Sequence, residues 1–224
     1  RVLDIGCGTG FIFDELDDEF AAADRHGIGI DPADGMLEIA RDKYQGVSRY
    51  EFKPGSFEDI PVEDSSVDKI VSTLALHWVK SLEPAAQEMR RVIKDTGSLD
   101  ILMIARDDGA EFKKAIVEAL KKHLSFRQIM KTATLVQRVT PESFTAKIGP
   151  IFDGFELNVV EHRDIIYGSF DDHMKWWKAR SSPVIAEVED KETFMIDLQT
   201  ELEKTSTEAG IPFDTAYLCI SARG

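Results

Sequence analysis

Val2-Leu3-Asp4-Ile5-Gly6-Cys7-Gly8-Thr9-Gly10 is the stretch on which the reading of this chain turns. A short, mostly apolar run ends in three alternating glycines, and a helical pattern follows near Phe11–Phe20. Apolar runs bounded by glycine read as buried strands. Glycine lets the backbone turn sharply and approach a ligand with no Cβ in the way. A helix that starts at such a turn offers N–H groups without partners of their own. Asp4 puts a carboxylate at the strand end, suited to holding an ammonium group directly or through water. About twenty residues further on, Gly29-Ile30-Asp31 ends a second strand, where an acid can accept from both hydroxyls of a ribose.

Working outward, apolar runs alternate with helical patterns over the first half. The predicted strands are Val2–Ile5, Gly27–Asp31, Arg49–Lys53, Lys69–Ser72 and Ser98–Ile104. Helices are expected near Phe11–Phe20, Ala33–Tyr44 and Leu82–Ile93. In the last of these, Leu82, Ala85, Ala86, Met89, Val92 and Ile93 form one apolar stripe at helical spacing, and Asp95-Thr96-Gly97 ends it. This alternation is the mark of βα units on a parallel sheet. The second half is helix-rich. Thr140-Pro141 starts one helix as N-cap and first residue. A helix with Trp176 and Trp177 precedes a longer one near Lys191–Ala209, and strands at Phe155–Arg163 and Thr215–Ala222 complete the sheet. The expected fold is therefore α/β: a doubly wound, mainly parallel, seven-stranded sheet forming a single domain over residues 1–224. Cap insertions are expected near 106–139 and 168–210.

The 224 residues carry a formal net charge of -14, with no basic stripe for a phosphate backbone. The densest basic cluster, Lys121-Lys122-His123, reads as the solvated end of a helix. No apolar run is long enough to span a bilayer, and no signal-peptide pattern opens the chain. The two cysteines, Cys7 and Cys219, form neither a disulfide framework nor a metal site. A cytoplasmic protein, monomer or homodimer, acting on a small molecule with no metal, nucleic acid or membrane partner, is the expectation. The chain opens on a strand without an initiator Met, so missing N-terminal helices are expected too.

The alternating Gly6, Gly8 and Gly10 after Asp4 resemble motif I of the class I S-adenosylmethionine (SAM)-dependent methyltransferases, D/E-x-G-x-G-x-G. Further matches follow in order. Gly55-Ser56-Phe57-Glu58-Asp59-Ile60-Pro61 resembles G-D-A-E-x-L-P of that family. Asp64-Ser65-Ser66-Val67-Asp68 is similar to D-x-S-F-D, and Arg91-Val92-Ile93-Lys94-Asp95-Thr96-Gly97 to R-V-L-K-P-G-G. The resemblance implies a Rossmann-like fold that binds SAM and releases S-adenosylhomocysteine. It implies Asp4, Gly6, Cys7, Gly8 and Gly10 around the methionyl part, Asp31 on the ribose, Pro32 and Met36 beside the adenine, and Ser56, Phe57, Glu58 and Leu74 completing the cofactor site. The family usually carries Asp where this chain has Ser56, which accepts without charge. Cys7 reads better as a small packing residue than as a nucleophile, because no His is near it in sequence.

After the fourth strand comes Ser72-Thr73-Leu74-Ala75-Leu76-His77-Trp78-Val79. Trp78 can wall a methyl-transfer pocket, and an aromatic face favours a sulfonium. His77 can orient an acceptor or take its proton, although both side chains can equally pack beneath the following helix. With the late insertion, this segment resembles a subgroup that esterifies carboxylic acids, including the trans-aconitate and juvenile hormone acid methyltransferases. There, Arg180, one helical turn from Trp176, and Arg106 are candidate carboxylate holders. A carboxylate acceptor needs no base at neutral pH, which agrees with the lack of an obvious base dyad. Two other readings stand beside small-molecule O-methylation: an NAD-dependent oxidoreductase, and a non-methylating, methyltransferase-like assembly factor.

Overall fold

Val2–Ile5, buried throughout, form strand β1 at the centre of a computed structural model that describes residues 1–132, 139–180 and 182–224. After β1 come α1 (Phe11–Glu15), α2 (Asp17–Ala22), β2 (Gly27–Asp31), α3 (Asp34–Lys43), β3 (Tyr50–Pro54) and β4 (Val67–Thr73). A 3-10 turn, Leu76–Trp78, leads to α4 (Leu82–Val92) and β5 (Ile93–Ile104). The remainder holds α5 (Ala110–Leu120), α6 (Phe126–Thr132), α7 (Pro141–Ile148), β6 (Glu156–Gly168), α8 (Phe170–Arg180), α9 (Ser182–Ala186), α10 (Lys191–Glu203) and β7 (Ile211–Arg223).

The strands form one seven-stranded sheet in the order β3-β2-β1-β4-β5-β7-β6. β3, β2, β1, β4 and β5 run parallel to one another, and β7 is antiparallel to β5 from Ser98 opposite Arg223 to Ile104 opposite Tyr217. This is the doubly wound α/β fold expected from the alternating pattern. The strand order reverses between β1 and β4, and in such sheets ligands bind beyond the carboxyl ends of the strands at that reversal.

The chain divides into two compact units, one of Arg1–Arg106, Val136–Glu161 and Tyr217–Gly224, the other of Asp107–Leu135 and His162–Ala216. In the first, Phe13 packs on Tyr50 with ring centroids 4.9 Å apart, and Tyr44 stacks on Phe52 at 5.4 Å. The predicted stripe of α4 is buried at Leu82, Ala85, Ala86, Met89 and Val92. Each large apolar side chain so buried stabilises by about 1.5–3 kcal/mol. The second unit has its own core, in which Phe112, Ile116 and Leu120 of α5 pack in one cluster with Phe194, Leu198 and Leu202 of α10.

Several boundaries differ from the sequence reading. The first predicted helix is two, broken at Leu16. Asp14 and Asp18, and Glu15 and Glu19, would be like-charged neighbours at i, i+4 in one continuous helix, which is unfavourable. β5 begins at Ile93 rather than Ser98, because Asp95-Thr96-Gly97 forms a bulge: β5 pairs at Ile93 and again at Ser98 while β4 advances only from Val67 to Lys69. Lys122 and His123 are not simply solvated. Lys122 Nζ lies 2.8 Å from Asp197 and 3.0 Å from Glu201, and His123 Nε2 lies 2.8 Å from Asp197, tying the end of α5 to α10. Thr140 caps α7 as expected, in a reciprocal box with Ser143 and with Pro141 in the first turn. Residues 133–138 of the first expected insertion lie outside the described residues.

Candidate functional site

Gly6 and Gly8 shape the turn that leaves β1. Gly6 has φ 76°, and a Cβ there would lie 2.3 Å from the Ala75 Cβ, so only glycine lets the β4 end close onto the loop. Gly8 has φ 54° and open space where a side chain would be. Gly10 packs under Tyr44, whose hydroxyl donates to its carbonyl at 3.0 Å.

Most of the loop's amides are already engaged. The N–H groups of Gly6 and Cys7 both donate to Ile30 O, at 2.8 and 3.0 Å, and Gly10 N–H donates to Cys7 O at 2.9 Å. Gly8 N–H donates to Asp31 Oδ2 at 2.9 Å, and Ala33 N–H to Asp31 Oδ1 at 2.8 Å. A loop that cradles a pyrophosphate needs such donors free. Here four of them are spent, and the groups presented are carboxylate acceptors. Asp31 is held by two backbone donors, with lone pairs remaining on both oxygens.

Beneath the loop, Asp4 is 1% exposed, and its Oδ1 has no hydrogen-bond partner. Burial first, and then the charge of Asp31, push its carboxyl up to about 7. A buried carboxylate without a donor is costly, so this group is suited to receiving a cation.

A crevice of about 610 Å³ opens beside the loop. Gly6, Asp31, Pro32, Ser56, Phe57 and Glu58 line it from the β1, β2 and post-β3 segments. Leu74, Ala75, Trp78, Val79 and Lys80 line it from the segment after β4. Leu74 adopts φ 54°, unusual for a residue with a side chain, and its N–H donates to Leu102 O at 2.8 Å. Trp78 is 53% exposed, a large aromatic face bordering the crevice. Ser56 Oγ accepts from Glu58 N–H at 3.2 Å, closing a tight turn. Arg91 holds that segment from behind. Its guanidinium donates to Ile60 O and Val62 O, each at 2.9 Å, and to Glu88 and Asp64. The paired charge of Arg91 keeps the Glu88 carboxyl below its usual range. Arg91 of the Arg-Val-x-Lys motif thus clasps the stretch from Ile60 to Asp64 that follows Phe57 and Glu58.

Residues 3–101 match the family described as methyltransferase domain. These 99 residues, under half of the 224, carry a methyltransferase domain. The malonyl-[acyl-carrier protein] O-methyltransferase of Erwinia pyrifoliae is 37% identical over 99 residues, covering 44% of this chain and 35% of that protein. The demethylmenaquinone methyltransferase of Clavibacter sepedonicus is 33% identical over 101 residues, covering 45% of this chain and 40% of that protein. The chain therefore spans under half the length of these curated relatives. The crystal structure of the YcgJ protein from Bacillus subtilis superposes with a TM-score of 0.64 at 23% identity, covering 100% of this chain and 91% of that one, a likeness of fold.

The methyltransferase domain gathers eight of the expected site residues around the crevice: Gly6, Asp31, Pro32, Ser56, Phe57, Glu58, Leu74 and Trp78. Asp4, within β1, is buried and does not itself line the crevice. Met36 is exposed on the first turn of α3 and does not line the crevice. The Cys7 side chain belongs to the core cluster with Phe13, Leu37 and Phe52. Burial and the charges of Asp4 and Asp31 push its thiol up, away from reactivity. In native protein, iodoacetamide is expected to modify one thiol per chain, the exposed Cys219, with Cys7 reacting only after unfolding; mass spectrometry reads the difference.

His77 and Trp78 part company. The His77 ring is buried 5.1 Å from the Trp78 ring and does not line the crevice, because a three-residue 3-10 turn sends adjacent side chains in different directions. Arg106 is exposed, its N–H donating to Val139 O at 3.0 Å, and is also not a lining residue. Trp176 packs on Phe213 and Phe112 within the second unit. Arg180 ends α8, and its side chain lies outside the described residues. Ile5, Thr73, Ala75, Val79 and Lys80 line the crevice without having been singled out. The last four are the end of β4 and the loop leaving it, and taking that whole stretch as the site wall would have found them.

Proposed function

We propose that this protein transfers the methyl group of SAM to a small molecule, with a carboxylate oxygen as acceptor. The reading is carried by the unpartnered, buried Asp4 carboxylate beneath a glycine turn whose amides are spent. That arrangement suits an aminoacyl ammonium and opposes a pyrophosphate, so it favours SAM over a nicotinamide dinucleotide. When bound, SAM supplies a methyl group on a positively charged sulfur, open to in-line displacement.

The chain's own residues bind, orient and exclude water. Asp4 accepts from the ammonium, and Asp31 accepts from the ribose hydroxyls with the lone pairs its two amide donors leave free. Pro32, Phe57 and Leu74 offer apolar surface to the purine, and Ser56 and Glu58 offer polar atoms at its edge. Trp78 walls the transfer space and turns an aromatic face to positive charge. Desolvation and alignment supply much of the acceleration in such displacements. Among the described residues no His, Cys or Tyr lines the crevice. An acceptor that is already anionic, with an unperturbed pKa near 4, suits that lining. The name of the Erwinia relative, an O-methyltransferase, supports the same acceptor. Both cysteines are free, one of them exposed, as suits the reducing cytoplasm we assign it to.

The test is equilibrium binding of S-adenosylhomocysteine, followed by incubation of methyl-labelled SAM with a panel of carboxylic acids, quinols and amines. Methyl esters release volatile methanol in alkali, whereas C- and N-methyl products do not. Alkali-labile label on an acid is the expected result. Label only in alkali-stable products removes the carboxylate acceptor. Cofactor binding without transfer to any acceptor favours a non-catalytic partner protein. Asp31→Ala is expected to weaken S-adenosylhomocysteine by about 1–3 kcal/mol, since it unpairs the ribose hydroxyls and the Gly8 amide. Unchanged affinity by calorimetry would remove Asp31 from the ribose.

A further inference from the structure

The interior of β1 is an unusual place for a carboxyl group. Asp4 sits in register between Gly29 of β2 and Val71 of β4 in the middle of the sheet. Neither residue offers it a side-chain donor, and its Oδ1 is buried without a partner. The charged and titratable groups on the surrounding elements do not neutralise it. Asp31 on β2 adds like charge. Cys7 in the loop is a protonated thiol. Arg41 on α3 donates to Phe52 O at 3.1 and 3.3 Å. Asp14 on α1 is held by Lys43 and Tyr44. His77 lies in the turn beyond β4.

Such a carboxyl has two ways to be stable. It takes up a proton, or it receives a cation from outside. The carboxyl cannot be both at once, since a proton bound to it removes the charge that a close ion pair needs. We propose that capture of the cofactor is coupled to loss of a proton from Asp4, so that affinity for the cofactor weakens as the pH falls. The inference rests on the cofactor reading above.

The exchange balances simply. The protonated Asp4 carboxyl gives its proton to solvent, and the ligand's ammonium takes that place as a hydrogen-bonded ion pair. The position of the Asp4 carboxyl, raised to about 7 by burial and by Asp31, sets the window. Linkage then requires affinity to weaken below that pH, where a proton must first be displaced, and to level off above it.

The measurement is isothermal calorimetry of S-adenosylhomocysteine at pH 6 and pH 7.5, in phosphate and in imidazole, whose ionisation enthalpies differ. Affinity is expected to fall about eightfold between pH 7.5 and pH 6, with about half a proton released per ligand at pH 7. Adenosine, which lacks the aminoacyl arm, is expected to bind with no such slope. Asp4→Asn, checked by circular dichroism for its fold, is expected to bind S-adenosylhomocysteine more weakly and independently of pH. Tight binding of S-adenosylhomocysteine with no proton release overturns the coupling and leaves the cofactor reading standing. An equal slope for adenosine removes the coupling from the ammonium contact. Failure to bind S-adenosylhomocysteine at any pH overturns both. The adenosine comparison uses wild-type protein, so the result does not depend on the variant folding.

Discussion

Asp4→Asn is expected to make the cofactor-free protein more stable by about 2–3 kcal/mol at pH 8, while costing it affinity for S-adenosylhomocysteine. Folding carries the Asp4 carboxyl from about 4 to about 7, chiefly by burying it. Each unit of such a shift corresponds to about 1.4 kcal/mol. The folded state binds a proton that the unfolded chain has already released between those two values. Wild-type stability therefore falls as pH rises from about 4 to about 7, and stays lowered above it. An uncharged amide removes the larger part of that cost, and burying its N–H donors returns about 1–2 kcal/mol. Urea unfolding at pH 5 and pH 8 is the check. The gain of the variant is expected to be large at pH 8 and small at pH 5. Equal stability of the two proteins at pH 8 would show that Asp4 carries no buried charge. A residue that destabilises the empty fold and serves the loaded one is the trade-off expected where function outweighs stability.

Gly6→Ala has the second large effect. The new Cβ would lie 2.3 Å from the Ala75 Cβ, far inside contact distance, on a backbone with φ 76°. The left-handed conformation alone costs a side chain about 1–2 kcal/mol, and the overlap forces the β4 turn or the loop to move, at about 1–3 kcal/mol more. A loss of about 3 kcal/mol in unfolding free energy is expected, with at least a tenfold loss in S-adenosylhomocysteine affinity as Ala75 and Leu74 are pushed into the crevice. Gly35→Ala in α3 is the control. Nothing lies within 4 Å of its Cβ position, and it is helical. It is expected to gain about 0.5–1 kcal/mol. Equal effects at the two positions would show that the contact between Gly6 and Ala75 does not govern the loop.

The local patterns of the sequence were enough for the sheet and for eight of the residues that line the crevice. Val2–Ile5 and Gly27–Asp31 were legible because a buried strand needs a continuous apolar run, and a turn against it needs glycine. Asp31 was legible because its spacing from the glycines is set by one βα unit. The stripe of α4 was legible from its 3.6-residue period, and the Thr140 cap from its hydroxyl beside a proline. The break at Leu16 was harder to see, because it depends on repulsion between acids a turn apart.

What the chain alone determined is the alternation of strand and helix, and hence the doubly wound sheet with its glycine turn and paired acids, because those follow from periodicity and backbone conformation within a few residues. What only the tertiary structure decided is how distant side chains meet. It separated His77, turned inward, from Trp78, left at the crevice, and it brought the loop from Thr73 to Lys80 against the segment from Ser56 to Glu58. It spent the amides of the glycine turn on Ile30 and Asp31, and it buried Asp4 without a partner. Hydrogen-bond satisfaction and burial belong to the packed molecule, since each depends on atoms supplied by strands far apart in sequence.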